Sequence, residues 1–492
     1  MDLNESSSLS KKPMVFRIAS KGISVKTEKE QESLYRLLPP VSKLRDDCQK
    51  TESLQHFPTS FLLKTIQETL ETLRQEIQQQ QWNAKKLSDI EWISFIAQKC
   101  QEEITPKTIR VLNGTGVILH TGLGRAPLSE ASLQAIQEQV RGYTLVEVER
   151  NSGERNEREV HLRKLLQKIT HAESAVIVNN NAAATVLVLN EMAQGKEVII
   201  SRGQLVEIGG SFRIPEIMEC SHAILREVGA TNKTHLNDYE KAIGPNTAMI
   251  MKVHPSNFRI VGFTESVPLE ELVALGQKYQ LPVVDDLGSG ALIDLEKLNL
   301  EAEPTVQDSL KSGADLTLFS GDKLMGGCQA GIIVGKERFV QRLRKNPLYR
   351  AFRVDKLTLA VLEATLLHFL DESWALEKVP TLRMIRLPKE ELTQRAQILK
   401  TKLESFSLPF RIQLRDDFSA IGSGSLPTVH LPTTVLTFQH SHWDAKQFAQ
   451  KLRLNTPCVF TRIQENQVCL DLRTIFPDEE TLLETAFRQI NL

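Results

Sequence analysis

Between residues 106 and 370 the chain repeatedly places a short apolar run ahead of a longer stretch with helical spacing. The runs include Ala175-Val176-Ile177-Val178, Glu197-Val198-Ile199-Ile200, Ala248-Met249-Ile250-Met251-Lys252-Val253, Leu281-Pro282-Val283-Val284 and Leu316-Thr317-Leu318-Phe319. A strand that is apolar at successive positions has no side to give to water, so it must be covered on both faces. Helices interposed between such strands supply the cover and force parallel crossovers. The pattern therefore predicts an α/β fold built on a mostly parallel sheet. From about residue 371 to the end, strand candidates at Thr434–Phe438 and Gln467–Leu472 predict a smaller α+β domain.

Ahead of residue 106 the pattern is different. Phe61, Leu62, Ile66, Leu70, Leu73 and Ile77 recur at helical spacing, with Gln, Glu, Lys and Arg between them. A second helix is expected where Ser88 and Glu91 have the spacing of a capping box ahead of Trp92, Ile93, Phe95 and Ile96. Residues 36–105 thus read as a helical domain. Residues 1–35, polar and without sustained periodicity, read as a flexible extension.

The balance of 41% hydrophobic and 25% charged residues in 492 is that of a globular chain long enough for two or three domains. The start is polar and acidic where a secretory leader is basic and then apolar, and no run of about eighteen apolar residues occurs. A soluble, cytoplasmic protein without membrane partners is expected. Six scattered cysteines without a Cys-x-x-Cys pair indicate neither a zinc site nor a disulfide framework. A net charge of -1 gives no broad attraction for DNA or RNA, so any RNA contact must come from local patches.

Chemistry concentrates around Lys323. It follows the apolar run ending at Phe319 and sits among Gly321, Gly326 and Gly327, with Ser320 and Asp322 beside it. A lysine that forms an imine with an aldehyde cofactor needs such a close-approach turn, a desolvated setting that lowers its pKa, and nearby oxygens to steer protons. A pyridoxal-type cofactor also needs an anion site and an acid at its ring nitrogen. The turn through Asn180, Asn181, Ala182 and Ala183 ahead of an apolar helix offers backbone N–H groups to a phosphate. Asp285 and Asp286 close an apolar run at the sheet edge where ligands bind; Asp286 is preferred, because Asp-x-Gly leaves a small residue under the ring.

Asn113 to Arg125, Val178-Asn179-Asn180-Asn181-Ala182-Ala183-Ala184, Ser201 to Arg213 and Ser320-Gly321-Asp322-Lys323 together resemble bacterial selenocysteine synthases, the L-seryl-tRNA(Sec) selenium transferases. The resemblance runs from about residue 36 to the end. It implies pyridoxal 5'-phosphate on Lys323 and the aspartate aminotransferase fold type (PLP fold type I) with its seven-stranded sheet. It further implies a homo-oligomer, a dimer at least and a decamer in the bacterial enzyme. The implied reaction starts from Ser-tRNA(Sec): Lys323 takes the α-proton, water leaves to give aminoacrylyl-tRNA, and selenophosphate adds selenium. Lys323 or Asp322 protonates the leaving hydroxide. Arg125, Arg158, Arg350 and Arg353 match positions around the family's anion site, and His254 lies either over or beside the cofactor or in an ordinary loop.

One departure falls in the lysine loop, where Cys328 stands in place of the proline of the family's Gly-Gly-Pro-Gln-Ala-Gly run; a change in loop rigidity with retained chemistry is expected. The helical domain is what the resemblance assigns to tRNA, gripped by shape and backbone. Lys11, Lys12, Lys21, Lys26, Lys43, Arg45, Lys50 and Lys64 are available there, with acidic residues nearly balancing them. Two other readings remain: a pyridoxal phosphate lyase acting on a small amino acid or amino sugar acid, and a non-catalytic RNA-binding protein on the same fold.

Overall fold

The computed structural model describes residues 28–490 except 209, 211, 407 and 423. Lys11, Lys12, Lys21 and Lys26, and Gly209 and Ser211 of the third motif, lie outside the described residues. The chain divides into two compact units, the first ending at Ile109 and the second beginning at Arg110.

Within the first unit the helix Thr59–Gln78 buries Leu62, Ile66, Leu70, Leu73 and Ile77, the stripe the periodicity predicts. It packs with Val41–Lys50 and Trp92–Ile104 around a core that includes Leu44, Cys48, Ile96 and Cys100. Two expectations are corrected. Glu28–Tyr35 is helical, inside the stretch read as an extension. The capping box at Ser88 and Glu91 is absent: Asn83 caps the short helix Ala84–Ser88 by accepting from the N–H of Lys86, and Glu91 precedes the next helix without a side-chain cap.

The second unit contains two larger sheets and a small hairpin. In chain order its strands are β1 (Leu112–Gly114), β2 (Val117–Leu119), β3 (Ser174–Val178), β4 (Glu197–Ser201), β5 (Glu207–Ile208), β6 (Phe212–Arg213), β7 (Ile224–Val228) and β8 (Thr247–Val253). They continue with β9 (Val283–Gly288), β10 (Leu316–Ser320), β11 (Gly331–Gly335), β12 (Phe410–Gly422), β13 (His430–His440), β14 (Val459–Gln464) and β15 (Gln467–Asp471). The seven-stranded sheet has the order β3-β11-β10-β9-β8-β4-β7 and is parallel except for β11, which is antiparallel to both neighbours.

The alternation of side chains along a strand explains why its apolar runs are unbroken. Val176 and Val178 of β3 join a core with the helix Asn181–Ala193, while Ala175 and Ile177 join another with the helices Val160–Thr170 and Lys356–His368. Each fully buried Val or Ile contributes roughly 2 kcal/mol.

The six-stranded sheet, order β1-β14-β15-β13-β12-β2, crosses the boundary expected at residue 370, because β1 and β2 pair in parallel with β14 and β12. Such non-local pairing leaves no mark in a sequence pattern. Arg473, 1% exposed, ties this sheet to the helix Pro380–Arg386. Its guanidinium donates to Ser419 Oγ at 2.9 Å, to the carbonyls of Met384 and Leu387 at 2.8 Å each, and to the Pro432 carbonyl at 2.6 Å. Replacing it strands those buried acceptors. Arg473→Met is expected to lose about 3–5 kcal/mol of stability in urea denaturation; a loss below about 1 kcal/mol would contradict the role assigned to it.

Candidate active site

The carboxyl ends of β3, β8, β9 and β10 converge on a cavity of about 260 Å3. Arg125, Asn180, Asn181, Ala182, His254, Asp286, Ser320 and Lys323 all line it. Lys323 follows β10 on a tight turn, 5% exposed, and its Nζ makes no hydrogen bond or ion pair with the described residues. Burial pushes the amine below its ordinary range, with Arg125 adding to the shift and Asp286 and Asp322 opposing it.

Asp286, on β9, accepts from Asn181 Nδ2 at 2.8 Å and from Thr185 Oγ1 at 3.2 Å. Burial pushes its carboxyl up to about 6, against the hydrogen bond from Asn181 and the charge of Lys323. The strand alternation sends Asp285 the other way, where Ser309 Oγ donates to it at 2.7 Å. Of the two carboxylates, Asp286 lines the cavity and Asp285 does not.

At the start of the helix Asn181–Ala193, Asn180 Oδ1 caps the N–H of Ala183 at 2.8 Å, which leaves the N–H groups of Asn181 and Ala182 without an acceptor among the described residues. This turn lies against β11 with no room to spare, since a Cβ on Gly331 would come 2.1 Å from the Asn180 carbonyl oxygen. Asn181 Oδ1 is buried without a donor. His254 is held by its N–H to the Asp286 carbonyl at 2.9 Å, and its Nε2 lies 3.4 Å from Oε2 of the buried Glu303.

Arg125 reaches the cavity from a left-handed backbone conformation (φ 64°) and donates to Asp322 Oδ2 at 2.8 Å. Of the four arginines that match positions around the family's anion site, Arg125 alone lines this cavity within one chain. Arg158 and Arg353 are both drawn to Glu147, at 2.7 and 3.3 Å, and Arg350 is exposed; none of the three lines the cavity.

Two residues beside the cavity, Thr185 and Gly424, escaped the sequence reading. Thr185 is one helical turn beyond Asn181, a position that periodicity assigns to the core. Gly288 (φ 66°) and Gly424 (φ 89°) flank the lysine, and a Cβ on Gly424 would come 2.6 Å from Lys323 Nζ. The Gly-Ser-Gly-Ser sequence at residues 422–425 was the available signal for Gly424. Cys328 lies 3.7 Å from the Thr358 carbonyl, and burial pushes its thiol up to about 12.

A desolvated lysine beside a buried carboxylate at the carboxyl edge of this sheet defines an enzyme of PLP fold type I, the aspartate aminotransferase-like class. A solved structure of D-glucosaminate-6-phosphate ammonia-lyase shares the fold, with a TM-score of 0.54 at 17% identity over 79% of this chain and 97% of that one. Residues 111–476 match the family model described as L-seryl-tRNA selenium transferase. Two curated relatives carry the name L-seryl-tRNA(Sec) selenium transferase. That from Alkaliphilus metalliredigens is 46% identical over 92% of this chain and 98% of its own length. That from Carboxydothermus hydrogenoformans is 44% identical over 91% and 96%. The chain belongs to the L-seryl-tRNA selenium transferase family.

The electrostatics of the cavity can be read on the cofactor-free protein. Reductive methylation of Lys323, followed against pH, is expected to give a midpoint below 10.5. Asp286→Asn lowers that midpoint further, since the carboxylate favours the ammonium form, and Arg125→Ala raises it. An ordinary lysine midpoint, or the opposite signs, would contradict this description of the site.

Proposed function

We propose that the protein converts L-seryl-tRNA(Sec) to L-selenocysteinyl-tRNA(Sec), with selenophosphate as selenium donor and pyridoxal 5'-phosphate held at Lys323. The observation that carries the reading is the desolvated amine of Lys323, without a hydrogen-bond partner among the described residues, in one cavity with Asp286 in a chain that matches its relatives nearly end to end. A cytoplasmic location accords with a tRNA substrate.

The residues present fit the cofactor. The free N–H groups of Asn181 and Ala182 suit a phosphate, and Asp286 suits a protonated ring nitrogen. The glycines at 288 and 424 keep space beside the amine that any Cβ would narrow. His254 and Ser320 complete the cavity wall. When bound, pyridoxal phosphate supplies an electron sink for negative charge developing at the seryl α-carbon.

The chain's own groups do the rest. Lys323, shifted toward the neutral amine, takes the α-proton. Lys323 or Asp322 delivers a proton to the departing β-hydroxyl, which is otherwise a poor leaving group. Arg125 is the guanidinium on the cavity wall and is assigned to the selenophosphate anion; Asp322 holds its orientation. Arg158, Arg350 and Arg353 have no place at the cavity within one chain and could meet the donor only through a second subunit. A homodimer at least, and by family likeness a decamer, accords with that.

Purified protein is expected to convert serylated tRNA(Sec) on addition of selenophosphate, and to leave serylated tRNA(Ser) and free serine unchanged. Indifference to both tRNAs with turnover of a small amino acid or amino sugar acid would favour a lyase instead. The helical unit is assigned to tRNA. Deleting residues 1–105 is expected to abolish tRNA binding in a filter assay while the protein still takes up the cofactor; undiminished affinity would refute the assignment.

A further inference from the structure

A second cavity of about 480 Å3 shares a wall with the first, because Arg125 and Gln329 line both. Its other sides come from Thr121, Ala126, Leu128 and Asp322. The first cavity lies below the roughly 300 Å3 at which small-molecule sites usually begin, so a bound cofactor leaves little room there for a substrate carrying a large ester. The second falls within the usual range.

The lining says what the second cavity takes. Its one cation, Arg125, is already paired to Asp322 Oδ2, while Asp322 Oδ1 is buried and has no donor. A buried carboxylate oxygen without a partner costs about 1–3 kcal/mol and repels a second anion. It calls for a ligand that brings a hydroxyl or amine hydrogen. Ala126 and Leu128 add apolar surface suited to a flat ring or the face of a sugar.

We infer that the second cavity binds the terminal nucleoside of the aminoacyl-tRNA, with a ribose hydroxyl donating to Asp322 Oδ1 and the base against Leu128. This rests on the proposed substrate and adds where its last nucleotide sits. The seryl group then crosses the Arg125–Gln329 wall to reach Lys323. Asp322 thereby joins the two sites: one oxygen fixes Arg125 and the other holds the sugar to which the seryl group is esterified, which leaves proton delivery to Lys323.

Holoenzyme titrated with the stable amide 3'-serylamino-3'-deoxyadenosine and with serine methylamide, followed by cofactor absorbance, tests this. The nucleoside conjugate is expected to bind at least about tenfold more tightly, and its analogue lacking the 2'-hydroxyl about fivefold more weakly than the conjugate itself. Thr121→Trp and Leu128→Trp, each checked for an intact cofactor band, are expected to shrink the tenfold preference below about threefold. Equal affinity of the two amides for the wild type would overturn the subsite, and so would indifference to the 2'-hydroxyl. Neither measurement depends on a variant folding. Conversion of Ser-tRNA(Sec) without nucleoside preference overturns the subsite alone. Nucleoside preference without conversion overturns selenium transfer and keeps the subsite.

Discussion

Covering both faces of the seven-stranded sheet is the constraint from which the site follows. With Val176 and Val178 committed to one core and Ala175 and Ile177 to the other, the middle of β3 is given over to packing. The strand end and the turn beyond it are left for polar chemistry. Asp286 near the carboxyl end of β9, Lys323 after β10, His254 after β8 and the Asn180–Ala183 turn after β3 all meet at that edge. Antiparallel β11 is part of the same arrangement, because its glycine at 331 lets β3 and its turn close against it.

Desolvation then sets the chemistry. Lys323 and Asp286 are each pushed toward their neutral forms by burial, and each in turn favours the charged form of the other. A change in either partner should therefore be felt by the other. Arg125 and Asp322 lie next to this pair and give the lysine a charged but internally balanced neighbour. Glycine at 424 brings the loop after β12 against the amine, so Lys323 is enclosed by segments of both sheets.

What the sequence made legible was whatever depends on neighbours along the chain. The apolar runs of β3, β4, β8 and β10, the helix Thr59–Gln78 and the lysine turn were all visible as local patterns. The strand around Asp286 was seen only to Val284, because two aspartates in succession hide a buried strand end. Pairings between distant segments were not visible: β1 and β2 joining the six-stranded sheet, Gly424 meeting Lys323, and Glu147 diverting Arg158 and Arg353. Arg158 and Arg353 match positions around the family's anion site, yet within one chain both guanidinium groups meet Glu147. The family likeness supplied the reaction; the residues alone supplied a lysine site of unspecified substrate.

The central claim is that Lys323 is the single cofactor-bearing residue, and covalent mapping tests it most directly. Purified protein loaded with pyridoxal phosphate, reduced with borohydride and digested, is expected to carry the pyridoxyl mass on the peptide containing Lys323 and on no other. The label on a different lysine, or no covalent label after reduction, would contradict the account of this site.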